Sequence, residues 1–170
     1  MLTILIGWFL TGMVHYALLS KHGGKLWSKE GWLSFDLERL LKALIAAIPT
    51  LIIAAVFLTL TARSSLTLIR PSTEFLPLLA VCTLFPIIEE WGRGMIIAFW
   101  QEAAGKALVG LIISSLTFAL MHSMSADLVF FWTLTFGLLS GALTLWSRGI
   151  GAAILVHSLT NAVLVMLLAT

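Results

Sequence analysis

Six polar side chains in an otherwise apolar chain have the types and spacing that hydrolytic chemistry requires. They are Glu89, Glu90, Arg93, His122, His157 and Asn161. The two adjacent glutamates lie between apolar runs, so they should sit well inside a hydrocarbon layer, where ionisable groups are costly and usually functional. Two neighbouring carboxylates are expensive to ionise together in a low dielectric unless a cation such as Arg93 compensates them. The pattern therefore predicts an acid/base pair.

Peptide hydrolysis within lipid needs a sequestered water, a base for its proton and donors for the developing oxyanion. Glu89 with His122 can activate the water, and His157 with Asn161, one helical turn apart, can supply the donors. Zinc chemistry is the alternative, because Glu89, His122 and His157 form an adequate ligand set with an open fourth position. The HExxH signature of soluble metalloproteases is absent. We therefore favour a site without a cofactor and keep zinc open.

Composition places these side chains in a membrane protein. The chain has 170 residues, of which 60% are hydrophobic and only 11% charged, which does not describe a soluble domain. The net charge of +2 and the lack of a basic face argue against nucleic acid as a partner. Cys82 is the only cysteine, so no internal disulfide can form. We predict a single integral-membrane domain over residues 1–170.

The apolar stretches predict an all-α, polytopic membrane helix bundle of about six transmembrane helices. The predicted spans are Leu2–Ser20, Leu41–Ala62, Phe75–Trp100, Lys106–Met124, Asp127–Trp146 and Ile150–Leu168. The core that bears the motifs covers about 75–168. Lys21–Arg39 mixes basic and aromatic residues and is predicted to lie at the headgroup level. Pro86 predicts a break in the third span, because it leaves the Cys82 carbonyl without its helical donor.

Other features are predicted to have structural roles. Gly137 and Gly141 have the GxxxG spacing typical of close helix packing, and His15 is predicted to be an interfacial or packing residue. Basic loop residues set the orientation, and most of them fall on one side of the predicted bundle. These are Lys21, Lys25, Lys29, Arg39, Lys42, Lys106 and Arg148, against Arg63 and Arg70 on the other side. The bias predicts that this side is cytoplasmic and that both termini lie outside.

The polar residues also form three ordered motifs. Glu89-Glu90 with Arg93, Phe118-xxx-His122 and His157-xxx-Asn161 resemble those of the CAAX protease and bacteriocin-processing family of intramembrane endopeptidases. The resemblance covers Pro86 to Asn161 and implies a helical membrane core that hydrolyses a peptide bond. It implies that the first-motif glutamate and second-motif histidine activate water. It also implies that the third-motif histidine and asparagine stabilise the oxyanion.

One departure from the family pattern concerns the register of the first motif. The family usually has three residues between the paired glutamates and the arginine, and here only two intervene. If the glutamates keep their positions, Glu89 is the base and Arg93 is displaced by about 100° around the helix. If the arginine keeps its position, Glu89 matches the second glutamate and Ile88 replaces the first. Because Gly92 could absorb a local change of pitch, we favour Glu89, with Glu90 as the alternative.

The resemblance implies a membrane-anchored protein or peptide as substrate, within a bacterial inner membrane. Prenylated termini, bacteriocin leaders and the C-terminal sorting tails handled by myxosortase-like members are all compatible with it. Two other functions use the same polar residues. They could form a proton relay in a small transporter or a non-enzymatic immunity protein. His122 and His157 could instead be axial haem ligands, in which case the protein would show a Soret band.

Overall fold

The computed structural model describes residues 37–62, 75–123 and 127–169, and every regular element in these ranges is helical. The helices are α1 (Leu37–Ala62), α2 (Phe75–Leu79 in α, Ala80–Leu84 in π and Phe85–Ala104 in α conformation), α3 (Ala107–His122), α4 (Leu128–Ser147) and α5 (Ile150–Ala169). The predicted first span, His15, nearly all of the interfacial segment, Arg63 and Arg70 lie outside the described residues. The predicted later spans match α1 to α5 closely.

The helices distribute their side chains as a membrane protein does. On α3 the apolar Leu108, Ile112 and Leu120 point outward, whereas Ser114 and Ser115 are buried. Such a helix presents hydrocarbon to its surroundings and keeps hydroxyl groups inside the bundle, where Ser114 and Ser115 bond to backbone carbonyls. Two stretches, Phe75–Gln101 and Leu128–Ser147, are long and apolar enough to cross a membrane. The prediction of an all-α membrane helix bundle is confirmed, and the number of six spans stays a prediction.

One side-chain cap and two left-handed residues set the ends of α2 and α4. Asp127 caps α4, since its side chain accepts a hydrogen bond from the Phe130 N–H at 2.9 Å. Gly105 ends α2 in the left-handed conformation, with φ of 62°, which glycine adopts without steric cost. Arg148 adopts the same conformation after α4, with φ of 54°. These turns are short, so α2 to α5 are held as close neighbours.

The predicted break at Pro86 is wrong, because α2 continues through the proline. Instead of breaking, the helix widens into a π-helical segment over Ala80–Leu84, one turn before the proline. The Phe85 N–H donates to the Ala80 carbonyl, five residues back rather than four. Pro86 is the second residue of the second α segment, in the first turn of which its missing N–H costs little. Glu89 and Glu90 follow directly in that segment.

Helices α2, α4 and α5 all contact one another. Helix α3 packs between α2 and α4, and α5 contacts α4, α1 and α2, including the π segment of α2. At one end of the bundle the Lys42 ammonium donates to the Trp146 carbonyl and lies 5.4 Å from the centre of its ring. Lys42 and Arg148 therefore lie at the same end of the described bundle, as the charge bias predicts.

Candidate active site

Glu90 and Arg93 form a buried ion pair inside the bundle. They lie three residues apart on α2, so their side chains project from the same face of the helix. Arg93 Nη1 contacts both carboxylate oxygens of Glu90, at 2.8 and 3.0 Å, and each side chain is only 1% exposed. This charge-assisted contact is stronger than a neutral hydrogen bond, and one guanidinium nitrogen is shared between the two carboxylate oxygens. The shortened spacing of the first motif therefore still allows a direct pairing, and the arginine's partner is the second glutamate.

Helix α4 anchors the arginine from the other side. Arg93 Nη2 donates to the backbone carbonyl of Gly137, and the guanidinium lies 5.0 Å from the centre of the Phe118 ring. A Cβ atom added at Gly137 would approach the Ser115 Cβ to 3.1 Å. The predicted close packing at Gly137 is thus confirmed. The same glycine also has a second role, because its carbonyl is part of the polar site.

Gly141 leaves room for the arginine itself. A Cβ atom added there would lie 3.2 Å from Arg93 Nη2 and would collide with the Leu111 side chain. We therefore expect Gly141→Leu to lower the free energy of unfolding by about 1–3 kcal/mol, as overpacking usually does. It should also lower turnover, because Arg93 must move. Thermal unfolding in detergent and a cleavage assay measure the two effects.

Ala142→Leu is the matched control for that substitution. Ala142 is the next residue of α4 and is exposed on the outer face of the bundle. The same leucine should therefore leave both unfolding and turnover nearly unchanged. Equal effects of the two substitutions would contradict the role given to Gly141.

His157 on α5 joins the two glutamates. Its Nδ1 lies 2.9 Å from Glu90 Oε1, and its Nε2 lies 3.5 Å from Glu89 Oε2. The ring is 4% exposed and packs edge-on against Phe136, with 4.7 Å between ring centres. Because Glu90 is already paired with Arg93, it accepts a hydrogen bond from His157, which places a proton on Nδ1. The other ring nitrogen is then aimed at Glu89.

Glu89 differs from Glu90 in its surroundings. Its side chain is 16% exposed, against 1% for Glu90, and its described contact is the longer one to His157. Glu90 is held by Arg93 and His157, and the buried Ser140 of α4 lies next to it. Of the two carboxylates, Glu89 is the one with room for a water molecule or a substrate.

His122 and Asn161 flank this cluster. His122 ends α3, with Nδ1 2.8 Å from the Phe118 carbonyl and its ring centre 4.3 Å from that of Phe118. This hydrogen bond places the proton on Nδ1 and leaves Nε2 able to accept one. Asn161 donates from Nδ2 to the Val81 carbonyl at 2.8 Å. Neither residue hydrogen-bonds directly to a glutamate in the described part of the chain.

Direct contacts thus join four of the six predicted residues, and the other two, His122 and Asn161, flank this cluster. The structure adds groups that the sequence analysis missed: Ser140, Phe136 and the backbone carbonyls of Val81 and Gly137. Ser140 had a detectable signal, since it lies between the two glycines of the GxxxG pattern. Backbone carbonyls have no signal in residue type, because every residue carries one.

A zinc site was the alternative for these residues. Among the described residues, no three histidine, cysteine, aspartate or glutamate side chains are grouped closely enough to hold a metal ion. Glu89 and His157 are adjacent, and His122 packs on Phe118, whose ring centre also lies 5.9 Å from that of His157. The choice between zinc and glutamate chemistry stays a prediction, and the roles proposed below are derived from the protein's own side chains.

Comparison with protein families gives a match. A family model described as type II CAAX prenyl endopeptidase Rce1-like matches residues 71–163, which is more than half of the chain and includes all six predicted site residues. No curated protein and no solved structure matches the chain.

Proposed function

Since the chain belongs to the Rce1-like family of type II CAAX prenyl endopeptidases, we propose that it is an intramembrane endopeptidase acting near the C-terminal or membrane-anchored segment of a protein substrate. The family match confirms the resemblance indicated by the three motifs. Membership in a family of membrane proteases makes the chain an integral membrane protein of the hydrolase class. The residue roles, the substrate and the type of mechanism are our proposals.

The observation that carries the proposal is the position of His157 between two carboxylates with different surroundings. Glu90 is buried and held by Arg93, whereas Glu89 is partly open and 3.5 Å from His157 Nε2. An anionic Glu89 can therefore take a proton from a water molecule, while Glu90 stays an anion paired with arginine. We assign Glu89 as the general base and Glu90 as the residue that orients His157.

His157 would then act on the substrate carbonyl. With Nδ1–H donated to Glu90, a neutral ring has a bare Nε2 and cannot stabilise an oxyanion. As an imidazolium, flanked by two carboxylates, the ring carries a second N–H on Nε2. That N–H can donate to the oxygen as negative charge develops, and later pass its proton to the leaving amine. The geometry supports an oxyanion role for His157 in the protonated form.

The two flanking residues complete the proposed machinery. Asn161 lies one turn after His157 on α5 and can provide a second oxyanion donor, because a side-chain amide has two N–H groups and only one is bonded to Val81. His122 presents Nε2 as an acceptor, since its Nδ1 is bonded to the Phe118 carbonyl. This nitrogen can help to hold the water that Glu89 activates.

Cleavage by purified protein tests the proposal. The protein would be reconstituted in lipid vesicles with membrane-anchored candidates, namely prenylated C-terminal peptides and any small protein with an apolar tail that is encoded beside this chain. Mass spectrometry of the products then locates the cleaved bond. Proton flux across the vesicles without cleavage would overturn the protease in favour of the transporter or relay, and a Soret band would favour haem.

Metal content separates the glutamate mechanism from zinc catalysis. We expect active protein to contain far less than one equivalent of zinc and to keep its turnover after treatment with a strong chelator. The reason is that Glu89 activates water without a Lewis acid in the proposed mechanism. Elemental analysis alongside the cleavage assay makes the measurement. One equivalent of zinc that tracks activity and is lost in His122→Ala or His157→Ala would overturn the glutamate base, although not the protease.

We propose a single domain over residues 1–170 in a bacterial inner membrane, with both termini outside. The substrate would then reach the site from the bilayer. Labelling of single cysteines introduced into the loops from either side of the membrane, in a Cys82→Ser background, would test the orientation.

A further inference from the structure

The π segment Ala80–Leu84 leaves one backbone carbonyl without a helical donor. In an α-helix the Val81 carbonyl would accept from the Phe85 N–H, but that N–H donates to Ala80 instead. In a continued π-helix it would accept from residue 86, which is a proline without an N–H. Both backbone donors that could reach Val81 are therefore removed, one by the change of register and one by Pro86.

A side chain from another helix donates a hydrogen bond to that carbonyl. Asn161 Nδ2 on α5 donates to the Val81 oxygen at 2.8 Å, across a sequence separation of 80 residues. An unpaired carbonyl is costly in the interior of a membrane protein, so this contact is strongly favoured over leaving the carbonyl free. The π segment and α5 are also directly packed together. The contact fixes the plane of the Asn161 amide, because Nδ2 must face α2.

We propose that the π segment and Pro86 form a positioning device for Asn161. The Val81 carbonyl binds one N–H of the amide, and the second N–H is thereby fixed as a donor beside His157, which lies one turn earlier on α5. This inference rests on the proposed function, since the fixed donor is the one assigned to the oxyanion. Pro86 is a positioning residue and touches no substrate.

Pro86→Ala gives the sharpest test, because the new N–H reaches Val81 in either register. If the π segment persists, residue 86 donates to Val81, and if the helix becomes regular, Phe85 does. We expect kcat to fall about 10- to 100-fold with little change in KM, since a misplacement of about 1 Å can cost that much. Asn161→Ala should itself lower turnover about 10²- to 10³-fold.

The double variant decides whether Pro86 acts through Asn161. In the Asn161→Ala background the same proline substitution should change kcat less than about threefold, because the group that it positions is gone. Equal effects of Pro86→Ala in both backgrounds would overturn the proposal. Pro77→Ala is the matched control. It removes a proline from the first turn of the same helix, where the restored N–H points away from the π segment and cannot reach the Val81 carbonyl. It should leave kcat unchanged.

A readout independent of activity is available, because Asn161 is the only asparagine in the chain. Protein labelled with ¹⁵N-asparagine therefore gives one side-chain amide signal pair in NMR spectra. We expect one of the two protons to be protected from exchange with solvent, and Pro86→Ala to speed its exchange about tenfold, as expected for one weakened hydrogen bond. Pro77→Ala should not change it.

The two readouts separate this inference from the proposed function. An Asn161 amide that is insensitive to Pro86→Ala overturns the inference, whether or not the protein cleaves peptides. A sensitive amide with an unchanged kcat overturns the positioning role alone. A wild-type protein that shows the protected amide but cleaves none of the candidates would confirm the contact and overturn the proposed function.

Discussion

Glu89→Gln should yield a folded protein whose turnover is lower by about 10²- to 10⁴-fold, the range contributed by a positioned general base. The substitution keeps the volume of the side chain and its ability to hydrogen-bond but removes the basic oxygen. Glu89 is outside the Arg93 ion pair, so the free energy of unfolding should hardly change. The cleavage assay and thermal unfolding in detergent, performed on the same preparation, measure both quantities.

Glu90→Gln is the matched comparison, one residue further along the same helix. Here the stability should fall as well, because Arg93 and His157 both need acceptors and a glutamine has one oxygen where the carboxylate has two. A fully active Glu89→Gln variant with a folded but inactive Glu90→Gln variant would move the base to Glu90. Loss of turnover in both variants with unchanged stability would instead indicate two carboxylates that share one proton.

The helices were predictable because their signals are local. The fifth predicted span, Asp127–Trp146, differs from α4 by one residue at each end, since Asp127 caps its start and Arg148 ends it in the left-handed conformation. The third span differs in its interior. Proline statistics predict a break at Pro86, but the choice between a break and a π segment depends on whether another helix can satisfy the freed carbonyl. Asn161 does so from α5, 80 residues away.

The cluster of Glu89, Glu90, Arg93 and His157 was predictable from the sequence, but the contacts within it were not. Buried ionisable residues on two spans identify the cluster, because lipid makes such residues expensive. The choice of carboxylate that pairs with Arg93 depends on the rotation of the helix and on the position of the Gly137 carbonyl. Neither can be inferred from residue types. Nothing in the sequence indicates that His157 and Asn161 contact different groups. His157 contacts the glutamates and Asn161 contacts the π segment, so each is held by a different part of α2.

Arg93→Met should be the most destabilising single substitution in the site. It would leave the Glu90 carboxylate buried, with His157 as its remaining partner and without the guanidinium that holds both oxygens. Removing one member of a buried ion pair typically costs about 3–5 kcal/mol, because the other charge is left uncompensated. Arg93→Lys should rescue this only in part, since arginine uses one nitrogen for the Glu90 carboxylate and another for the Gly137 carbonyl, and lysine has only one side-chain nitrogen. Thermal unfolding in detergent compares the variants.

The double variant Glu90→Gln/Arg93→Met tests whether Arg93→Met loses stability because the Glu90 charge is left uncompensated. With both charges removed, we expect much of the stability lost in Arg93→Met to return, because a neutral pair has little desolvation penalty. Glu38→Gln is the control. It removes the ion pair with Lys42, which is also short at 2.6 Å but has a carboxylate that is 75% exposed. It should cost about 1 kcal/mol or less, as exposed ion pairs do. If Arg93→Met were no more harmful than Glu38→Gln, or if the double variant were no more stable than Arg93→Met, Glu90 could not be a buried anion that depends on Arg93. The proposed orientation of His157 would then lose its basis.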